Sequence, residues 1–211
     1  MNLKEFDTAA ESKKDDTLSE IIKFNKYCNK FEYGLRKNGV LLRNTTSEDW
    51  DKHYKLVGPK QFVKQNGGVC WDWVTFEADY FKHNFSNIQF TTWYIVFDNK
   101  RSCPTHTFLT FQLNGKTYYF ESAFYRFRGV YEGNLNDILD FVLHNMNKHH
   151  PKDEPNLLDH KYYIVKYNAL DPSIIGANCE KFMQYCINQK WVNHKYNPNF
   201  KAPTKLNKRG R

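Results

Sequence analysis

The dipeptide Asn114-Gly115 lies between two runs rich in β-branched and aromatic residues, Thr105 to Leu113 and Lys116 to Ser122. Asn and Gly both tolerate the left-handed backbone that a two-residue type I′ turn requires. An Asn-Gly pair between such runs is therefore the strongest short hairpin signal a sequence carries. A turn of that length also fixes the pairing: residues whose numbers sum to 229 face one another. On that register Glu121 faces Phe108, and its diagonal neighbour on the same face is His106. A carboxylate at 121 can then reach an imidazole at 106 and orient it.

The rest of the chain alternates less regularly. Thr17-Leu18-Ser19-Glu20 has the form of a capping box, and Leu18, Ile21, Ile22, Cys28, Phe31 and Leu35 follow at roughly helical spacing, closed by Gly39. A short helix is expected from Ser47 to about Leu56, stopped by Gly58-Pro59. From Cys70 to about Asn84 two apolar sets, Val74-Ala78-Phe81 and Trp73-Phe76-Tyr80, mark a helix buried on both sides. A strand is expected from Ile88 to Phe97, and a helix from about Asn136 to Met146. A further strand should lie around Tyr162 to Tyr167, and a last helix from about Ala177 to Ile187. The pattern is α+β, with the Cys70-bearing helix packed on an antiparallel sheet.

Cys70 follows a glycine pair in "KQNGGVCWDWVTFEADYF" and opens that central helix. A helix N-terminus offers free N–H groups and the positive end of the macrodipole, which favour thiolate over thiol. The glycines would let a substrate carbonyl approach the backbone, and N–H groups near Cys70 could cradle an oxyanion. With His106 as base and Glu121 as its orienting acid, the three residues have the logic of a Cys-His-acid triad. Taken singly, each has a plainer reading: a buried cysteine, a strand histidine, a charge at a strand end.

Composition limits the other possibilities. The 211 residues are 40% apolar and 17% aromatic, enough for one packed domain. The opening MNLKEFDTAAESKKDD has no apolar run, so no signal peptide is expected, and TTWYIVF is too short to cross a bilayer. Five cysteines at unrelated spacings then argue for free thiols in a cytoplasmic setting. Cys103 and His106 form a C-x-x-H pair, but the adjacent His149 and His150 and the helical pair Cys179 and Cys186 supply no second compact pair, so neither metal nor cofactor is expected. Of the net charge of +8, five basic residues sit in KAPTKLNKRGR, leaving +3 for the body. The stretch 191–211 is accordingly expected to be a solvated basic tail, available for a polyanion contact.

The blocks Gly67-Gly68-Val69-Cys70-Trp71-Asp72 and Thr105-His106-Thr107-Phe108 resemble the transglutaminase-like branch of the papain-like cysteine enzymes. More narrowly, Phe120-Glu121 and the turn Arg128-Gly129-Val130-Tyr131-Glu132 are similar to small transglutaminase-like proteins of low-GC bacteria and their phages. The family usually has Asp where this chain has Glu121. Arylamine N-acetyltransferases look similar too, but their arginine before the glycines is Asn66 here. The resemblance spans roughly residues 59 to 188. It implies a catalytic core over 59–190, a helical extension over 1–58, and a Cys70-His106-Glu121 triad. It also implies attack on an amide or acyl group of a protein or peptide, with hydrolysis, deamidation or transfer as the outcome. A catalytically inactive binding or virion-associated module on the same fold is the alternative expectation.

Overall fold

A computed structural model describes residues 3–98, 104–150 and 156–206. In chain order it contains α1 (Leu3–Cys28), β1 (Glu32–Tyr33), β2 (Arg36–Lys37), β3 (Val40–Leu41), α2 (Ser47–His53), α3 (Pro59–Lys64) and β4 (Gly67–Gly68). There follow α4 (Cys70–Asn84), β5 (Gln89–Phe97), β6 (Thr105–Leu113), β7 (Lys116–Glu121), β8 (Gly129–Glu132) and α5 (Leu135–His149). The last elements are β9 (Tyr162–Tyr167), α6 (Cys179–Ile187), β10 (Lys190–Val192) and β11 (Thr204–Lys205). Among the described residues the large sheet has seven strands, ordered β10-β9-β5-β6-β7-β8-β11, with every neighbour antiparallel. The fold is α+β, as expected. No helix among the described residues is long and apolar enough to cross a membrane.

Both faces of the sheet are covered, which is why its central strands read as continuous apolar runs. In β5, Tyr94 and Val96 join α1, α4 and α6 residues such as Phe24, Trp73 and Phe182 in one buried cluster. Trp93, Ile95 and Phe97 face the other way, onto Ile138, Leu139, Val142 and Leu143 of α5. The side-chain period of two thus divides one strand between two cores. Each fully buried large side chain contributes about 1.5–3 kcal/mol.

The hairpin has the expected register. Asn114 and Gly115 adopt φ of 54° and 72°, and Leu109 pairs Phe120 while Phe111 pairs Tyr118. The N-terminal expectations fare differently. The helix does not begin at Thr17 but runs from Leu3 through it, because Leu3 to Asp16 contains neither Gly nor Pro to stop it. It ends at Cys28, so Phe31 and Leu35 are buried from irregular chain and not from a helix face. Asn38-Gly39, with φ of 52° and 82°, turns the β2–β3 hairpin, so Gly39 is no helix cap. Helix α2 closes at His53, and Pro59 opens α3 in the first-turn position where its missing N–H costs nothing.

The boundary expected at residue 58 does not divide the core. Ile21, Phe24, Cys28, Tyr54 and Leu56 lie in one buried cluster with Trp73 and Phe76. Nor is the stretch after 190 a free tail as far as it is described. Strand β11 pairs with β8, through Thr204 to Glu132 and Lys205 to Tyr131, and the Leu206 N–H donates to the Val130 carbonyl at 2.8 Å. The β8 edge offers backbone groups to this segment, and its few apolar side chains pack as well: Leu206 against the first core, Tyr196 against the second and Phe200 against Phe141. The basic residues Lys208, Arg209 and Arg211 lie outside the described residues.

Candidate active site

The start of α4 is held from several sides. Gly67 and Gly68 pair in parallel with Glu32 and Tyr33, and the chain enters the helix at Val69, an N-cap with no acceptor atom for the first N–H groups. Asp72, on the first turn, accepts the Val69 N–H through Oδ2 at 2.9 Å. Its other oxygen accepts from the Val57 N–H at 2.9 Å and the Tyr54 hydroxyl at 3.1 Å. Burial pushes the Asp72 carboxyl up to about 7, against those three hydrogen bonds and the Arg36 charge. Cys70 is the first residue of this pinned helix and only 5% exposed.

The glycine pair serves the protein's own packing, which corrects the expectation that it admits a substrate carbonyl. Gly67 has φ of +123°, and a Cβ there would lie 2.0 Å from the Glu32 carbonyl oxygen. A Cβ on Gly68 would lie 2.5 Å from Asp72 Oδ2. The close approach that demands glycine is made by β1 and by the capping carboxylate.

His106 is the second residue of β6 and 8% exposed; Glu121 ends β7 and is 2% exposed. Their contact is direct: His106 Nε2 lies 2.8 Å from Glu121 Oε2. The carboxylate also accepts from the Tyr119 hydroxyl at 2.5 Å and from the Phe124 N–H at 2.8 Å. Asn25 of α1 holds the same strand end, donating to the Glu121 carbonyl at 2.9 Å and to Ser122 Oγ at 3.2 Å.

Burial alone would lower the proton affinity of His106. The Glu121 charge and the hydrogen bonds to Cys70 and Glu121 outweigh it and raise its pKa to about 10. Burial likewise opposes ionisation of Glu121, but the His106 charge and the three donors hold its carboxyl below the usual range. With Nε2 committed to Glu121, the nitrogen left to meet Cys70 is Nδ1. The three residues chosen from spacing are therefore brought together.

One participant had no sequence signal. Tyr33 is 45% exposed, yet its hydroxyl reaches Cys70. Burial of that hydroxyl and then the Cys70 sulfur, to which it donates, push its pKa well up; the Cys70 N–H, donating to the phenol oxygen, acts in the opposite sense. The hydroxyl thus sits where an oxyanion at the start of α4 would be received. Tyr33 is delivered by the two-residue β1–β4 bridge, a parallel pairing too short to leave a pattern.

Of the remaining candidates, His149 and His150 lie in the wall of a cavity that His106 also lines. Cys103 falls outside the described residues. Cys179 approaches the Trp50 carbonyl at 3.8 Å, Cys186 is buried in the core, and His149 lies 2.9 Å from Arg126 Nη1. Among the described residues no group of three or more His, Cys, Asp or Glu side chains is placed to hold a metal ion. Comparison with known proteins found no matching family, no matching curated protein and no matching solved structure.

Proposed function

We propose that this protein is a cysteine-nucleophile enzyme of transglutaminase-like type, acting on an amide or acyl group of a protein or peptide through Cys70, His106 and Glu121. The observation that carries the reading is the 2.8 Å contact of His106 Nε2 with Glu121, which leaves Nδ1 for the thiol at the first residue of α4. Nucleophile, base and orienting acid are in hydrogen-bonded sequence.

In the reaction the Cys70 sulfur, its proton held on His106, forms a bond to the substrate carbonyl carbon. The carbonyl electron pair moves to oxygen, where N–H groups at the start of α4 receive it once the Tyr33 hydroxyl withdraws. Collapse of the adduct breaks the carbon–nitrogen bond, and His106 gives its proton to the departing amine. Water then hydrolyses the thioester with His106 as base, or an amine accepts the acyl group. The four cysteines among the described residues are free, in keeping with a reducing, cytoplasm-like setting or a virion.

Incubation with p-nitrophenyl acetate followed by peptide mass mapping tests the reading. An acetyl group on Cys70, absent from the Cys70→Ala and His106→Ala variants, is expected. Release of nitrophenol at equal rates from all three proteins would contradict it.

A second reading, a catalytically inactive binding module on the same fold, is favoured by the cover that Tyr33 places over an almost buried thiol. It predicts that Cys70 stays unreactive even in Tyr33→Ala.

A further inference from the structure

Beside His106, on the α5 side of the sheet, lies a cavity of about 190 Å³. Its wall includes His106 and Tyr33, both of which hydrogen-bond to Cys70, so an occupant would sit immediately next to a carbonyl presented to the thiol. The opposite walls are Tyr119, Phe124, Phe127 and Met146. The volume falls below the range of whole drug-sized ligands, which start at about 300 Å³. It slightly exceeds the roughly 150 Å³ that accommodates a benzene ring.

Thr105, His149 and His150 also line this surface, but the polar group of interest is Asn145. Asn145 of α5 lines the cavity and is 7% exposed, and its Nδ2 has no hydrogen-bond partner. A buried amide donor left unpaired is costly, and it marks where an acceptor atom belongs.

We infer that this cavity receives the side chain of the acyl-donor residue and that it selects a phenolic ring such as tyrosine's. This rests on the reading of Cys70 as nucleophile. A phenyl ring fills the aromatic walls but leaves Asn145 Nδ2 unpaired. An aliphatic amide pairs with Asn145 but leaves the walls unfilled. A phenol meets both, its oxygen accepting from Nδ2 at the far end of the ring.

The test separates binding from chemistry. Calorimetric titration of the full-length Cys70→Ala protein with N-acetyltyrosinamide and N-acetylphenylalaninamide should show the phenol bound about tenfold more tightly, the worth of one recovered hydrogen bond. Asn145→Leu should abolish that preference, and Met146→Trp, which fills the cavity, should abolish binding of both. Equal affinities, or a preference that survives Asn145→Leu, would overturn the assignment. In the wild-type chain, N-acetyltyrosine chloromethyl ketone should alkylate Cys70 about tenfold faster than the phenylalanine reagent. Alkylation of Cys70 at equal rates would overturn the pocket alone. Phenol-selective binding with Cys70 unalkylated would instead overturn the nucleophile and, with it, the role of the pocket in catalysis.

Discussion

His106 Nε2 and Glu121 Oε2 meet at 2.8 Å although fifteen residues separate them along the chain. The Asn114-Gly115 turn makes the meeting possible, since it sets Leu109 against Phe120, the last pair of that ladder, and leaves Glu121 at the end of β7. From there the carboxylate reaches diagonally to the imidazole. The pair is buried, so its energetics are felt in stability as well as in chemistry.

Replacing Glu121 by Gln should destabilise the fold by about 1–3 kcal/mol, because three donors lose a charged acceptor. The pH dependence follows from the two shifts. His106 binds its proton more tightly when folded, so its contribution is complete below about pH 6.5 and is lost as pH rises toward 10. Glu121 is held below 4.5, so its contribution is present above that value and lost on acidification. Urea unfolding should therefore show the widest gap between wild type and Glu121→Gln between about pH 4.5 and 6.5, narrowing on either side. A gap independent of pH would show that the pair is not ionised.

Tyr33 covers the thiol, so its removal should expose it. Tyr33→Ala is expected to raise the rate of Cys70 alkylation by iodoacetamide at least about tenfold, while Tyr33→Phe, which keeps the ring and loses the hydroxyl, has a smaller effect. Mass mapping of the labelled peptide gives the site. An unchanged rate in Tyr33→Ala would mean that another group shields the sulfur.

Gly67→Ala should cost about 2 kcal/mol or more, since a Cβ there would overlap the Glu32 carbonyl and the backbone lies at positive φ. The lost β1–β4 bridge should also free Tyr33, so that alkylation of Cys70 accelerates as stability falls. Thermal unfolding and the labelling rate, measured on one preparation, check both effects.

Asp140 of α5 anchors the C-terminal segment: its Oδ1 accepts from His194 Nε2 at 2.7 Å and from the Asn197 N–H at 3.1 Å. Asp140→Ala should leave both donors without their acceptor, cost about 1–3 kcal/mol, and open residues 193–201 to limited proteolysis. Persistent protease resistance of that segment would show that β11 pairing and the packing of Tyr196 and Phe200 secure it without Asp140.

Much of this arrangement was legible because it is local. The Asn-Gly turn, the glycine pair before an apolar helix and the His on the first turn-facing strand leave their marks within short windows. The same Asn-Gly signal at Asn38-Gly39 was masked by helical spacing upstream, where Phe31 and Leu35 are buried without being helical. Tyr33 left no mark, because two paired residues in a parallel bridge carry no periodicity. Asn145 was equally silent: a polar residue near the end of an amphipathic helix is ordinary until the cavity beside it is seen. The docking of β11 escaped because it depends on an open strand edge and on a few scattered apolar side chains such as Phe200 and Leu206 that form no periodic pattern.

The proposed chemistry depends on activation of Cys70 by His106. Competitive labelling with iodoacetamide at neutral pH, quantified cysteine by cysteine, tests it most directly. Cys70 is expected to react faster than Cys28, Cys179 and Cys186, and to lose that advantage in His106→Ala while the rates at Cys28, Cys179 and Cys186 are unchanged. Equal labelling of Cys70 in the wild type and in His106→Ala would contradict the claim.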